Sequence, residues 1–274
     1  MSYAELEKHY KKLSDLEHLE AILAWDEATM MAEGGSSSRA EALATLRGLV
    51  HEHASSPAVA EWLAAAENEG GLDEWRRANL REMARGYRRA TALPADLVSA
   101  ASLSESRSEQ AWRKLRAQND WAAFRPLLEN VVATKREVAA ALGEAFGLDP
   151  YDALLDGYEP GARGADIELL FGKLGAFLPP FIERAVEHQK SRPVREPSGP
   201  FPVEQQRALG EALMRKLGFD FTHGRLDVSH HPFCGGVPDD VRITTRYDSS
   251  DFAKALMGVL HETGHAKYEQ NLPR

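Results

Sequence analysis

Apolar residues recur at intervals of three and four positions along most of the chain, which is the period of an amphipathic helix. Two such patterns follow capping boxes, one at Ser2–Glu5 and one at Ser38–Glu41. Further helical patterns cover 58–90 with a break at Gly70-Gly71, 94–147, 167–189 and 204–217. We therefore expect a mainly α-helical protein, with Gly147 and Gly218 ending two of its helices.

Three of these stretches carry more specific expectations. The pattern at 94–147 predicts one long helix whose large apolar residues belong to the core: Trp112, Leu115, Trp121, Phe124, Leu127, Leu128, Val131 and Val138. The turn-forming residues at 151–161 predict an ordinary connection, and Pro179-Pro180 predicts a kink or split in the helix at 167–189. The proline-rich segment 191–202 is expected to be an exposed loop.

Strand signals appear only after Phe219. Residues 241–247 alternate, with Val241 and Ile243 on one face and Arg242 and Thr244 on the other. Residues 227–233 are the candidate partner strand. The pattern predicts a small antiparallel sheet beside the last helix.

The strongest chemical signal lies in that last helical pattern, for which Ser249, Ser250 and Asp251 are N-cap candidates. His261 and His265 lie one turn apart on a helix, about 40° around the axis and about 6 Å along it, so both imidazoles can hold one metal ion. Glu262 follows the first histidine, where its carboxylate can take a proton from a water molecule.

This H-E-x-x-H string is the pattern of zinc hydrolases. Taken alone, it fits equally well two partly exposed histidines on a helix. Half of the ten histidines fall in the last fifth of the chain, and this clustering favours a metal or catalytic site.

Composition narrows the possible function classes. A chain of 274 residues, 43% of them hydrophobic, can bury a core without disulfides. The formal charge of −9 argues against nucleic-acid and anionic-membrane partners, although it also simply favours solubility. Cys234 is the only cysteine, and such a residue is more often small and buried than nucleophilic. Without an apolar leader or a membrane-spanning run, we expect a cytoplasmic protein.

Short segments spread along the whole chain carry a family resemblance. They are Trp25-Asp26 with Thr29-Met30-Met31 and Gly34-Gly35, Tyr151–Asp156, Gly224–Asp227, His231-Pro232-Phe233, Asp240–Thr244, and His261–Ala266 with Tyr268-Glu269-Gln270. In this order they resemble the Taq-type thermostable metallocarboxypeptidases, the M32 family. One departure is Ala32, where the family pattern leads us to expect proline.

The resemblance implies a multi-helix, zincin-like metallopeptidase fold and a homodimer. The implied activity is removal of single C-terminal residues from peptides, with zinc or another divalent metal such as cobalt as cofactor. His261 and His265 would be metal ligands, and Glu262 the catalytic base. Family members are about twice as long, so residues 1–274 are expected to form a single, C-terminally incomplete domain. The glutamate that supplies the third ligand in the family, and the residues that hold the substrate carboxylate, have no counterpart in this sequence.

Several assignments remain open at this stage. His231 is expected to line the cleft, as its place in the resemblance implies. Arg242 either orients the site or binds a substrate carboxylate, or else it forms a structural salt bridge with Asp240, which we favour. Glu269 lies one turn beyond His265 on the same helix, which is a poor position for a third ligand. Two other functions stay possible: a zincin-type endopeptidase, and a non-catalytic helical domain that binds peptides or a partner.

Overall fold

The computed structural model of the chain describes residues 2–192 and 197–273. Within these residues it contains ten α-helices: α1 Ser2–Thr29, α2 Ser36–Ala54, α3 Pro57–Glu67, α4 Glu74–Ala92, α5 Ala95–Gln118, α6 Trp121–Phe146, α7 Pro150–Leu155, α8 Gly164–Lys190, α9 Val203–Lys216 and α10 Phe252–Gln270. The three strands are β1 Gly224–Val228, β2 Phe233–Val237 and β3 Asp240–Thr245. The mainly helical fold is therefore confirmed.

The predicted helix ends at Gly147, Gly218 and Asp251 are confirmed. Gly147 and Gly218 adopt φ angles of +66° and +86°, which favour glycine, and they follow α6 and α9 directly or after one residue. Asp251 caps α10, because its carboxylate accepts a hydrogen bond from the Ala253 N–H.

Other helix boundaries differ from the prediction. The expected single helix at 94–147 is two helices, because Asn119 takes a left-handed conformation and the Asp120 carboxylate caps α6. Of the expected kink or split at Pro179-Pro180, the split is wrong, since α8 runs through both prolines without interruption. The connection at 151–161 begins with the short helix α7.

The sheet is small, as expected, but it is mixed rather than antiparallel. β3 lies in the centre, with β2 antiparallel on one side and β1 parallel on the other. The proposed partner strand at 227–233 is wrong, because the chain leaves the sheet at Ser229 and re-enters it at Phe233. The Ser229 hydroxyl bonds to Thr244 and to the His231 carbonyl, and Pro232 has no N–H to donate to a ladder.

Two buried clusters organise the chain. One joins α1, α3 and α4 through residues such as Leu6, Val59 and Leu80. The other packs α9 and α10 against one face of the sheet: Met214, Phe219, Leu226, Val241, Ile243, Val259 and Ala266. The second cluster fixes the position of α10, which carries the H-E-x-x-H string.

Two helical regions contribute less to the core than their sequences predict. The side chain of Trp121 is 59% exposed, so its assignment to the core is wrong. No side chain of α8 is buried, although the whole helix lies in the described part of the chain.

None of the described helices is long and apolar enough to cross a membrane. Of the predicted loop at 191–202, residues 191–192 and 197–202 carry no helix or strand, and 193–196 lie outside the described residues.

Candidate metal centre

The two histidines of α10 point at a common position. Their Nε2 atoms are 3.2 Å apart, and their ring planes are inclined at 76°. Two nitrogens that each lie roughly 2.0–2.1 Å from one tetrahedral zinc ion are separated by about 3.3–3.4 Å. The side chains of His261 and His265 are therefore already placed as a pair of ligands would be.

The packing of α10 explains why these histidines are available. Val259, Thr263 and Ala266 are buried against the sheet and α9, and the Thr263 hydroxyl donates to the Val259 carbonyl within the helix. His261 and His265 lie on the exposed side of the same helix. The helix is thus held by one face and presents both imidazoles on another.

Glu262 differs from its neighbours because it is buried, with only 8% of its surface exposed. Together with His265 and Glu269 it lines a cavity of about 370 Å³, whose opposite wall includes Phe233, Cys234 and Gly235 of β2. A carboxylate and an imidazole therefore share one cavity between the last helix and the edge of the sheet. This arrangement suits proton transfer next to a metal ion.

Cys234 is a member of this site that the sequence did not single out. Burial, and after it the negative charges of Glu262 and Glu269, raise the pKa of the Cys234 thiol to about 12. The thiol therefore stays protonated at neutral pH, and a protonated thiol is a poor metal ligand. The signal in the sequence was its place directly after His231-Pro232-Phe233.

Arg242 and Asp240 lie on the sheet face opposite α10. Side chains alternate along β3, and Val241 and Ile243 are the ones that pack on α10 and α9. Arg242 donates two hydrogen bonds to Asp240, at 3.1 and 2.9 Å, and its guanidinium lies 4.2 Å from the ring centre of Trp25 in α1. These hydrogen bonds are the main cause that lowers the pKa of Asp240.

His231 is also separate from the two histidines of α10. Its exposed ring lies 6.0 Å from the ring of Trp112 in α5, and its carbonyl accepts hydrogen bonds from Ser229 and Thr244. In the His231-Pro232-Phe233 segment it is Phe233 that lines the cavity beside Glu262. The geometry thus unites His261, Glu262 and His265, and places Arg242, Asp240 and His231 elsewhere around the sheet.

Almost the whole chain matches one known protein family. The family profile described as "Carboxypeptidase Taq (M32) metallopeptidase" matches residues 5–274. The chain belongs to the M32 metallopeptidase family.

Curated relatives of this M32 chain are named carboxypeptidases. "Thermostable carboxypeptidase 1" of Thermus thermophilus is 38% identical over 284 residues, which cover 100% of this chain and 56% of the relative. "Thermostable carboxypeptidase 1" of Pyrococcus furiosus is 33% identical, covering 95% of this chain and 52% of the relative. The chain therefore spans about half the length of the curated relatives it matches.

Solved structures give the same picture. "Trypanosoma Cruzi Metallocarboxypeptidase 1" is 40% identical and superposes with a TM-score of 0.88, covering 100% of this chain and 55% of that chain. The M32 carboxypeptidase from Deinococcus radiodurans R1 is 32% identical with a TM-score of 0.84, covering 98% of this chain and 54% of that chain. The fold of this M32 chain is thus shared along its whole length.

A metallopeptidase requires a divalent metal ion, and the donor set of this M32 chain fits one incompletely. Two converging imidazoles are present, and Glu262 is beside them. Among residues 2–192 and 197–273, no group of three or more His, Cys, Asp or Glu side chains is arranged to hold a metal. Glu269 lines the same cavity but follows His265 on the same helix.

Proposed function

We propose that this chain carries the metal-binding half of a zinc carboxypeptidase that removes single C-terminal residues from peptides. The observation that supports the proposal most directly is the 3.2 Å separation of the Nε2 atoms of His261 and His265, beside the buried Glu262. Membership of the M32 family supplies the reaction class.

His261 and His265 would hold the ion through their Nε2 atoms. A zinc ion held there would supply a Lewis acid able to polarise a peptide carbonyl and to acidify a water molecule. Glu262, whose side chain is buried, would take the proton from the attacking water and pass it to the leaving amine. The exposed side of the two imidazoles is where the third ligand, the glutamate implied by the family resemblance, would approach.

Arg242, Asp240 and His231 have supporting positions in this proposal. The Arg242–Asp240 pair links β3 to Trp25 of α1 and so fixes the sheet against the helices. His231 holds the start of β2 through its backbone carbonyl. Neither role needs contact with the reacting peptide bond.

The remaining proposals follow the family resemblance and the composition. Residues 1–274 act as one domain, and the full activity needs the residues that relatives carry beyond the matched half. We further propose a cytoplasmic location, a homodimeric assembly, peptides as substrates, and no nucleic-acid or membrane partner.

Zinc binding by the 274-residue chain is the direct test of the metal centre. With two protein ligands, the chain should bind one zinc ion more weakly than a three-ligand site does. His261→Ala and His265→Ala should each lower zinc affinity at least about tenfold in a competition assay with a coloured chelator. His188→Ala, which removes an exposed histidine from α8, is the matched control and should bind zinc like the parent. Equal affinity in all four proteins would remove His261 and His265 from the site.

Hydrolysis assays separate the proposed reaction from its alternatives. Glu262→Gln should keep zinc binding and should lose the hydrolysis that the parent chain shows when the residues that relatives carry beyond the matched half are supplied as a second polypeptide. A peptide with a free C-terminal carboxylate should be shortened one residue at a time, whereas cleavage of its C-terminally amidated form would indicate an endopeptidase. If zinc binds and neither peptide is cleaved, even when the residues that relatives carry beyond the matched half are supplied as a second polypeptide, the chain is a binding domain.

A further inference from the structure

The side chain of Gln270 joins the last turn of α10 to the connection between α9 and β1. The Asp220 N–H donates to Oε1 of Gln270 at 3.1 Å, and Nε2 of Gln270 donates to the Asp220 carbonyl at 2.9 Å. The side-chain amide thus pairs with both backbone groups of one residue, as a residue of a neighbouring strand would. Two parts of the chain that are far apart in sequence are therefore held together at two points.

The same amide also reaches the start of the sheet. Nε2 of Gln270 donates to the His223 carbonyl at 3.4 Å, and the Val241 N–H of β3 donates to that carbonyl at 2.9 Å. A further contact joins α10 to the end of α9, because Nζ of Lys267 donates to the Gly218 carbonyl at 3.3 Å. The ends of α9 and α10 and the starts of β1 and β3 therefore meet at this place.

The connection that receives Gln270 has a fixed shape. Phe219 is buried in the cluster that packs α9 and α10 against the sheet. The Asp220 carboxylate accepts hydrogen bonds from the Thr222 hydroxyl and N–H, at 2.7 and 2.8 Å, and lies 2.8 Å from Nδ1 of His223. These bonds, first of all the one from the Thr222 hydroxyl, lower the pKa of Asp220 to about 2. The carboxylate is therefore charged at neutral pH and keeps the backbone groups that meet Gln270 in place.

Gln270 makes its contacts just beyond the candidate metal centre. Val259 and Ala266 are buried and hold the helix as far as His265, and Gln270 holds the turn that follows. In an α-helix the His265 carbonyl accepts the Glu269 N–H, which belongs to that last turn. Helix ends fray when few contacts hold them, and fraying of this turn would remove the hydrogen bond of the His265 carbonyl.

We propose that Gln270 is a positioning residue of the candidate metal centre. Its amide holds the last turn of α10 against the connection between α9 and β1, and so keeps the imidazole of His265 at its 3.2 Å separation from that of His261. Gln270 acts through His265 and is not itself a ligand. The inference rests on the proposed function for the identity of the site, whereas the hold on the helix end can be measured without metal.

Hydrogen exchange of the metal-free chain, followed by NMR, tests that hold. Gln270→Ala removes all three hydrogen bonds of the side chain, and alanine has the higher helix propensity, so any loss of order comes from the lost contacts. The Glu269 amide should exchange about tenfold or more faster than in the parent, and the Val259 amide should keep its rate. Unchanged exchange at Glu269, or an equal increase at Val259, overturns the proposal.

Gln189→Ala is the matched control for this measurement. It makes the same substitution in the last turn of α8, where the side chain is exposed. Both exchange rates in α10 should stay at the parent values. If Gln189→Ala speeds exchange at Glu269 as much as Gln270→Ala does, the contacts of Gln270 are not what holds the last turn, and the proposal is refuted.

Gln270→Glu adds a rescue that depends on pH. A carboxylate has no donor for the Asp220 carbonyl, whereas a protonated carboxyl group has one donor and one acceptor, like the amide. At pH 7 the Glu269 amide of this variant should exchange as fast as in Gln270→Ala. Near pH 4 its rate should approach that of the parent at the same pH, and Asp220 is still charged there. The same excess over the parent at both pH values contradicts the pairing.

Zinc affinity connects the helix end to the candidate metal centre. In a competition assay with a coloured chelator, Gln270→Ala should bind zinc about three- to tenfold more weakly than the parent, and Gln189→Ala should bind it equally. Equal affinity of Gln270→Ala and the parent overturns the positioning role and leaves His261 and His265 as ligands. A parent chain that binds no zinc refutes the proposed function and with it the role toward the metal, and the exchange rates at Glu269 show whether the contacts of Gln270 fail as well.

Discussion

Burial separates the three side chains of the candidate metal centre into two kinds. Glu262 is buried beside β2, whereas His261 and His265 are exposed. The surroundings of the Glu262 carboxylate are therefore formed by residues of this chain. The imidazoles of His261 and His265 are accessible from outside. This difference makes the cavity side of α10 the better place to test the local structure.

The reactivity of Cys234 reports on that cavity. Because its thiol pKa is raised to about 12, the thiolate fraction at pH 8 should be small. We expect a disulfide reagent to react about a hundredfold or more slowly with the folded chain than with the urea-unfolded chain. Replacing both Glu262 and Glu269 by glutamine should raise the rate only modestly, since burial is the largest cause. Equal rates in folded and unfolded chains would show that the thiol is not held in this cavity.

Asp240 should make stability depend on pH. Arg242 lowers the pKa of Asp240 below its usual value of 3.8, so the carboxylate stabilises the folded chain above that value. This contribution is lost as the pH falls through the lowered pKa. Asp240→Asn should cost about 1 kcal/mol near neutral pH, and the cost should shrink below about pH 4. Urea unfolding of both proteins across this range measures the difference. Glu168→Gln, on the exposed side of α8, is the control.

At the scale of elements, α10 is held in place by α9 and the sheet. Met214 of α9 is fully buried in the cluster that contains Val259 and Ala266. Met214→Ala should lower the free energy of unfolding by about 2–5 kcal/mol, because it leaves a cavity under α10. Met257→Ala is matched in chemistry but removes a side chain that is 64% exposed, so it should change stability by less than about 0.5 kcal/mol. Urea titrations give both values, and equal losses would contradict the packing of α10 described above.

The elements also show how far sequence reasoning reaches. Local signals suffice where one residue decides a boundary, as at Gly147, Gly218 and Asp251. They fail at Asn119, because asparagine can adopt a left-handed conformation but usually does not, and nothing local shows that it does so here. The two helices that it separates pack together. The mixed sheet escaped prediction for a related reason. Strand alternation specifies which side chains share a face, and the order and direction of strands depend on contacts distant in sequence.

Some residues of the candidate site could likewise be placed from local sequence, and others could not. Helical spacing was enough to place His261, Glu262 and His265, because all three lie on one helix. The role of Cys234 required knowing that β2 lies beside α10, which no local pattern contains. The positions of Arg242 and Asp240 on the far face of the sheet became evident only once the face that packs on α10 was known.

At the scale of the whole molecule, α8 stands out because one apolar side of the helix is left uncovered. One side of this helix carries seven apolar side chains that are 39% to 64% exposed: Leu170, Phe171, Leu174, Phe177, Leu178, Phe181 and Ile182. Their spacing is that of a helix face that packs against another element. The sequence pattern at 167–189 predicted a helix but could not indicate that no described residue would cover this face.

This apolar face of α8 should cause the chain to self-associate. Exposed contiguous apolar surface of this kind is uncommon on soluble monomers, and contact between two copies would remove it from water. Replacing Leu170 and Phe181 by glutamate places two charges in the face. We expect sedimentation velocity to show mostly monomer for this double variant at concentrations where the parent chain forms larger species.

Ala176→Glu provides the matched control for that experiment. Ala176 lies on the opposite side of α8 and is exposed, so the substitution adds a negative charge to the same helix without entering the apolar face. It should leave the association of the parent unchanged. If Ala176→Glu dissociates the chain as well as the double variant does, added charge rather than the apolar face controls assembly. If neither variant dissociates the chain, the contact between copies does not involve this face of α8.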